Sequence, residues 1–155
     1  MNNYILCLSG GGVKGAFQVG FLKGLLENND FEIDEYYGVS AGALNSAFLS
    51  QYKNIKLGIY KLEKLWLNYK PTLKDKIKLY LLSNYSASIN WYTESITPCY
   101  IGIVSMETGE YKMWDISKIK NNNLAIKIIL GSTKVIPFMK PESIIWNNNK
   151  TLIQH

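Results

Sequence analysis

The first half of the chain shows short apolar runs that alternate with helical patterns. Residues 4–9 form an apolar run that predicts a first strand, and the glycines after it break the pattern. Residues 36–39 predict a second strand. The helix predicted between them has apolar residues at i, i+4, i+5 and i+8, which are Phe17, Phe21, Leu22 and Leu25. Strands that alternate with helices favour a parallel sheet covered by helices.

Two more helices are predicted after the second strand. The first covers residues 41–52 and the second covers residues 55–69. The second helix has one apolar face, made by Ile55, Ile59, Leu62, Trp66 and Tyr69. Pro71 interrupts this pattern, and a further helix is predicted over residues 73–82.

The second half of the chain is dominated by hairpin patterns. Strands are predicted at residues 98–106 and 111–114, and again at 143–146 and 151–153. A helix over residues 124–132 separates the two hairpins. Because no repeat or linker interrupts the chain, we expect residues 1–155 to form one α/β domain. Its central sheet should be mostly parallel and flanked by helices.

Composition places the chain among globular proteins. Of its 155 residues, 47% are hydrophobic and 19% are charged. No apolar run reaches the roughly 18–20 residues of a membrane span, and the first residues lack the basic region of a signal peptide, so we expect a cytoplasmic protein. Cys7 and Cys99 lie in apolar surroundings without metal-ligand spacing, which predicts buried free thiols. Since His155 is the only histidine, we expect no zinc site, and the sequence implies no other metal or cofactor.

The positive charge of the chain comes from lysine alone. All 17 basic residues are lysines, and the net charge is +5. Without arginine the chain lacks the side chain that makes bidentate contacts to bases and phosphates, so we expect no nucleic-acid partner. The lysines are concentrated between Lys53 and Lys78. This pattern is typical either of a solvated helix face or of a peripheral contact with an anionic membrane surface.

A glycine-rich segment lies where the first strand ends and the first helix begins. Gly10, Gly12 and Gly15 satisfy the G-x-G-x-x-G spacing of dinucleotide-binding loops. Such a site also needs an acidic residue at the end of the second strand, whereas Asp34 and Glu35 precede that strand. The loop has two other interpretations. It is either a tight turn without a ligand, or an oxyanion hole made by backbone N–H groups.

A serine follows the second strand in a pattern of small residues. The segment Gly38-Val39-Ser40-Ala41-Gly42 fits G-x-S-x-G, the nucleophile elbow, in which a sharp turn exposes the serine hydroxyl. A nucleophilic serine also needs a base. The order Ser40, Asp115, His155 would match a hydrolase triad, although the terminal position of the histidine favours no catalytic role.

Together, these two segments resemble those of the patatin-like phospholipase family. The resemblance rests on Ser9-Gly10-Gly11-Gly12-Val13-Lys14-Gly15 and on the elbow at residues 38–42. It extends to the hairpin at residues 103–110 and to residues 129–133, a run of small residues before Ile136-Pro137. The family resemblance implies a three-layer fold and a serine–aspartate dyad that hydrolyses phospholipids or other lipid acyl esters.

The same resemblance implies roles for individual residues. Ser40 would be the nucleophile, and the backbone N–H groups of Gly11 and Gly12 would form the oxyanion hole. Lys14 would shape the loop. Attack on the ester would give an acyl-enzyme at Ser40, which water then cleaves.

The chain departs from the family at the position of the base. The family's aspartate lies in an Asp-Gly-Gly or Asp-Gly-Ala motif after the last hairpin, and no Asp-Gly pair occurs here. We therefore expect a C-terminally incomplete domain without the catalytic aspartate, as either a fragment or a short natural form. Three functions stay open: a lipid acyl hydrolase, an inactive lipid- or membrane-binding derivative, and a nucleotide-binding module.

Overall fold

The computed structural model describes residues 3–68, 92–135, 139–146 and 148–154. Within them it has a six-stranded sheet and four α-helices. The strands are β1 (Ile5–Leu8), β2 (Glu35–Gly38), β3 (Cys99–Ser105), β4 (Tyr111–Asp115), β5 (Glu142–Trp146) and β6 (Asn149–Gln154). The helices are α1 (Gly15–Glu27), α2 (Ala41–Leu49), α3 (Ile55–Asn68) and α4 (Asn122–Gly131). Three predictions lie outside the described residues: the helix over 73–82, the place of Tyr69 and the Ile136-Pro137 turn.

The strands β1, β2 and β3 are neighbours and run parallel. Their connections progress in one direction across the sheet, and right-handed crossovers then place α1, α2 and α3 on the same face. In agreement, α2 packs on all three strands, and α1 and α3 pack on α2. The predicted α/β fold, with helices packed on a central sheet whose first three strands run parallel, is confirmed. The described part of α4 also packs against α2, so it lies on this same face.

The two predicted hairpins extend the sheet with antiparallel strands. Tyr100 of β3 pairs with β2 on one edge and with β4 on the other. Val104 pairs with β4 and with β6. Because β4 pairs along one edge of β3, β2 and β6 must both pair with the opposite edge of β3. They lie one after the other along that edge. Gly38 of β2 lies beside Ile101, and Gln154 of β6 lies beside Val104. The ends of β2 and β6 therefore face each other across about 10 Å of β3.

The core lies between the helices and one face of the sheet. In β3, Cys99, Ile101 and Ile103 are fully buried, while the alternate residues Tyr100 and Val104 are half-buried. This alternation is expected of a strand with one face against the helices. The predicted apolar face of α3 is confirmed for its described residues, because Ile55, Ile59 and Leu62 are buried and Trp66 is half-buried. No helix in the described residues is long and apolar enough to cross a membrane.

The predicted helix α1 is present, but only one of the four apolar residues in its pattern is buried. Leu22 is buried, together with Val19 and Leu26, whereas Phe17 is 76% exposed and Phe21 is 60% exposed. The cause is that α1 is apolar on two opposite faces, so hydrophobic periodicity alone does not identify the inner one. The buried face of α1 begins at Gly15, which is in close contact with α2 and α3. A Cβ atom at Gly15 would lie 3.0 Å from the Trp66 ring and 3.0 Å from Ala41 Cβ.

The expectation of two buried thiols is also wrong for one of them. Cys99 is buried and free, and burial raises the pKa of its thiol to about 12. Cys7 is free but exposed. Side chains alternate along β1, so Leu8 points to the helices and Cys7 points to the other face of the sheet.

Two helical glycines provide a matched test of the packing. A Cβ atom at Gly42 would lie 2.0 Å from the carbonyl oxygen of Leu8, while a Cβ at Gly20 meets nothing within 4 Å. We expect Gly42→Ala to lower the free energy of unfolding by about 3 kcal/mol or more. Gly20→Ala should raise it by about 0.5–1 kcal/mol, because alanine is the better helix former. Urea unfolding gives the free energy of unfolding of both variants. Similar values for the two variants would contradict the close contact between Gly42 and Leu8.

Candidate active site

Ser40 occupies the sharp turn between β2 and α2. Its backbone has φ 56° and ψ −121°, which is uncommon for a residue other than glycine. A conformation of this kind costs about 1–3 kcal/mol and persists only where the surrounding structure imposes it. The side chain is half-buried. The turn therefore has the backbone geometry that the sequence pattern requires of a nucleophile elbow.

Glycines on both sides of Ser40 allow the turn to be this tight. A Cβ atom at Gly38 would lie 2.5 Å from the carbonyl oxygen of Gly42. Gly42 itself lies against the end of β1, at the Leu8 contact described above. Two backbone hydrogen bonds close the turn: the N–H of Val39 donates to Leu8 O at 3.2 Å, and the N–H of Gly42 donates to Val39 O at 2.9 Å. At both positions only glycine fits without displacing backbone.

A hydrogen bond from the second half of the chain holds the elbow. The backbone N–H of Ser40 donates to Oγ of Ser132, 3.0 Å away and 92 residues later in the sequence. Ser132 follows α4 directly and is fully buried. Its neighbour Gly131 lies against β6, since a Cβ there would be 2.4 Å from Cδ1 of Ile153. The C-terminal end of α4 thus connects the elbow with β6.

The glycine-rich loop lies directly against Ser40. A Cβ atom at Gly10 would be 3.2 Å from Cβ and 3.8 Å from Oγ of Ser40. Gly12 has φ +54°, in the region that favours glycine, and begins a 3-10 turn that ends at Lys14. The N–H of Lys14 donates to the carbonyl of Gly11 at 3.0 Å. Within the part of the chain that is described, the N–H groups of Gly11 and Gly12 donate to no protein acceptor.

A buried polar network fixes this loop to the helices. Asn45 of α2 is 1% exposed, and its Nδ2 donates to Gly15 O at 3.0 Å and to Gln18 Oε1 at 2.9 Å. Nε2 of Gln18 then donates to the carbonyl of Ser9 at 2.7 Å. On its other side, Asn45 Oδ1 accepts a hydrogen bond from Nε1 of Trp66 at 2.9 Å. The position of the loop relative to Ser40 is therefore set by side chains of α1, α2 and α3.

The structure separates Asp115 from Ser40. Asp115 pairs with Tyr100 on the edge of β3 opposite to β2, level with Tyr37, which precedes Ser40 by three residues. Its Oδ1 accepts a hydrogen bond from the N–H of Ser117 at 3.1 Å, and Lys118 Nζ lies 2.9 Å from Oδ2. Burial alone would raise the pKa of this carboxyl, but the contacts with Ser117 and Lys118 outweigh it and hold the pKa below its usual value. The local contacts give Asp115 a capping role.

The other described aspartates are also distant from the elbow in the fold. Asp34 precedes β2 and accepts a hydrogen bond from the N–H of Tyr4 at 2.8 Å, at the start of β1. Asp30 pairs with Lys56. His155 and Asp75 lie outside the described residues, so the order Ser40, Asp115, His155 is not assembled by the residues that the structure describes. Those residues also contain no cluster of three His, Cys, Asp or Glu side chains that could hold a metal ion.

The location of Asp34 and Glu35 bears on the nucleotide hypothesis. Both lie at the start of β2, while the glycine-rich loop lies at the opposite end of the neighbouring strand β1. A dinucleotide site needs a ribose-binding carboxylate at the end of β2. In this chain the end of β2 is followed by the elbow. The geometry therefore favours the oxyanion-hole interpretation of the loop over a dinucleotide site.

The carboxylate of Asp115 should support stability and not reactivity. We expect Asp115→Asn to lower the free energy of unfolding by about 0.5–1 kcal/mol at pH 7, because the variant keeps the cap but loses the charge pair with the exposed Lys118. A pKa that is lower in the folded state stabilises the protein above the unfolded value of about 3.9, and this contribution is lost as the pH falls through the folded pKa. Urea unfolding measures this, and the difference in the free energy of unfolding between wild type and Asp115→Asn should become smaller below about pH 4. A difference that does not change with pH would contradict the electrostatic cause.

Comparison with known proteins agrees with this geometry. The family model of the patatin-like phospholipases matches residues 6–98, which is more than half of the chain and includes the glycine-rich loop, the elbow and α3. The match ends before β3, so the resemblance noted at residues 103–110 and 129–133 stays a prediction. No curated protein gave a match. Ser40 and the loop beside it thus lie within the matched region, and the chain belongs to the patatin-like phospholipase family.

Proposed function

We propose that the chain carries the nucleophile and the oxyanion hole of a lipid acyl hydrolase of the phospholipase A or esterase type. Membership of the patatin-like family indicates a hydrolase that acts on lipids. The observation that carries the proposal for this chain is the strained backbone of Ser40, φ 56°, with Gly10 of the glycine-rich loop packed against it. Strain of this kind is concentrated at functional sites.

The proposed reaction follows from the two segments. Oγ of Ser40 attacks the carbonyl carbon of the acyl ester and transfers its proton to a base. The N–H groups of Gly11 and Gly12 would stabilise the negative charge on the carbonyl oxygen. Collapse of the tetrahedral intermediate releases the alcohol, which takes up the proton, and leaves the acyl group on Ser40. Water then attacks this acyl-enzyme and releases the fatty acid.

The base in this proposal is an aspartate carboxylate, as the family resemblance implies. The register of the sheet supports a position for this carboxylate beside the end of β6. Gln154 ends β6 beside Val104, and Val39 lies so close to Gly102 that a Cβ there would be 2.9 Å from the valine Cγ2. The end of β6 is therefore directed at the elbow. A carboxylate beside the end of β6 would lie on the same edge of β3 as the elbow, whereas β4 lies on the opposite edge.

A second candidate function is binding to lipid without catalysis. It is favoured by one observation, namely that none of the described aspartates lies near Ser40. The lysines proposed for a membrane contact lie between Lys53 and Lys78, and the described part of this stretch belongs mostly to α3. There Lys61 lies over the Tyr52 ring and Lys64 over the Tyr60 ring. In this function the protein would be cytoplasmic and peripheral at a membrane.

The decisive variant for the hydrolase is Ser40→Ala. In a protein that contains these residues together with the family's aspartate, we expect release of fatty acid from phospholipid or from a simple acyl ester. Ser40→Ala should abolish this release because it removes the attacking oxygen. The matched control is Ser46→Ala, which removes the hydroxyl of a buried serine in α2 that donates to Tyr37 O at 3.1 Å. Vesicle binding by a folded wild type that hydrolyses no ester would instead support the second function.

Ser132 should act as a positioning residue for the nucleophile. Ser132→Ala would leave the N–H of Ser40 without its acceptor, so we expect kcat to fall about ten-fold with KM unchanged. Thr133→Val is the control, because it removes the adjacent hydroxyl, which bonds only to Leu130 O within the described contacts, at 2.7 Å. Steady-state kinetics of both variants, with their unfolding curves, measure this. An equal loss of kcat in the two variants would argue against a specific role for Ser132.

A further inference from the structure

One buried side chain, that of Asn45, is connected by hydrogen bonds to both ends of the glycine-rich loop. Its Nδ2 donates to the carbonyl of Gly15, at the end of the loop, at 3.0 Å. The same nitrogen donates to Oε1 of Gln18 at 2.9 Å, and Nε2 of Gln18 donates to the carbonyl of Ser9, at the start of the loop, at 2.7 Å. A single amide therefore connects the two ends of the segment that carries the proposed oxyanion hole.

The neighbours of Asn45 determine how its amide is oriented. Nε1 of Trp66 is a donor only, so the Asn45 atom that lies 2.9 Å from it must be the amide oxygen. The backbone carbonyls of Gly15 and Ser9 are acceptors only, so each of them must face an amide nitrogen. Reversal of either side-chain amide would place two donors or two acceptors against each other. Since Asn45 is 1% exposed, water is not at hand to replace these bonds.

Asn45 lies on the same helix as the proposed nucleophile. Ser40 caps α2, and its carbonyl accepts hydrogen bonds from the N–H groups of Ala43 at 3.0 Å and of Leu44 at 3.3 Å. Asn45 is the next residue along the chain. About one turn of α2 therefore separates Ser40 from the side chain that holds the loop, and this turn fixes the distance between them.

We propose that Asn45 is a positioning residue, which sets the place of the oxyanion hole relative to Oγ of Ser40. The inference rests on the proposed function, because it concerns the N–H groups that would stabilise charge in that reaction. Consecutive glycines give the loop little conformational preference of its own, so its shape must be imposed by neighbouring side chains. Donors of this kind act only where they face the developing charge, and a misplacement of about 1 Å can lower the rate about 100-fold.

The test compares three variants of a protein that contains these residues together with the family's aspartate. Asn45→Leu removes every hydrogen bond of the amide. Gln18→Met removes only the branch that leads to the carbonyl of Ser9, and it changes a half-buried residue, so the fold is retained. Ser50→Ala is the control, because Ser50 is a fully buried polar residue directly after α2 whose hydroxyl bonds to Ser95 at 2.8 Å, away from the loop.

Two measurements are made on each variant. Hydrolysis of a water-soluble short-chain ester gives kcat and KM. Hydrogen–deuterium exchange reports on the loop without any need for catalysis. It follows the N–H of Lys14, which donates to Gly11 O at 3.0 Å, and the N–H of Gly15, which donates to Gly12 O.

We expect kcat to fall at least about ten-fold in Asn45→Leu and about three-fold in Gln18→Met, with KM unchanged, because the lost interaction acts in the transition state. Exchange at Lys14 and Gly15 should become faster in both variants, while Ser50→Ala leaves kcat and exchange unchanged. Wild-type kcat in Gln18→Met and in folded Asn45→Leu, or an equal loss in Ser50→Ala, would overturn the proposal. If wild type hydrolyses no ester, the proposed function fails. Faster exchange in the two variants would then still show that Asn45 holds the loop, and unchanged exchange would refute it.

Discussion

The contact between the first turn of α2 and the end of β1 governs the arrangement of the site. Gly42 lies so close to Leu8 that no side chain fits between them, and Gly38 is equally close to the backbone of α2. The chain must therefore turn sharply between β2 and α2, and Ser40 takes the positive φ that this turn imposes. The strain at Ser40 is a consequence of how α2 is seated on the sheet. The glycine-rich loop, which follows the same strand β1, is brought against Ser40 by the same contact.

The second half of the chain completes the elbow. Ser132 accepts the hydrogen bond of the Ser40 backbone, and Gly131 packs on Ile153 of β6. These contacts make the nucleophile depend on elements that follow it by about 90 residues. They also place the end of β6 beside the elbow, on the edge of β3 that β2 leaves unpaired. The proposed serine–aspartate dyad needs a carboxylate beside Ser40, and none of the described aspartates follows β6.

Short-range patterns predicted much of this architecture. The elbow and the glycine-rich loop were identifiable because tight turns need glycine at fixed spacing, and strands and hairpins follow from alternation. The role of Ser132 was not predictable, since nothing local marks a serine whose partner is distant in sequence. Periodicity predicted α1 but did not identify its buried face, because the helix is apolar on two sides and Phe17 and Phe21 lie on the exposed one. The burial of Cys7 was misjudged because composition does not reveal which face of β1 a residue occupies.

The central claim is that the elbow makes Ser40 chemically distinct from every other serine in the chain. The most direct measurement is reaction of the folded protein, with the family's aspartate present, with a fluorophosphonate. The modified residue is located by mass spectrometry of its peptides. The account predicts a single adduct, on Ser40, that disappears in Ser40→Ala and forms more slowly in Ser132→Ala. A folded protein that forms no adduct, or one whose labelling persists in Ser40→Ala, would contradict it.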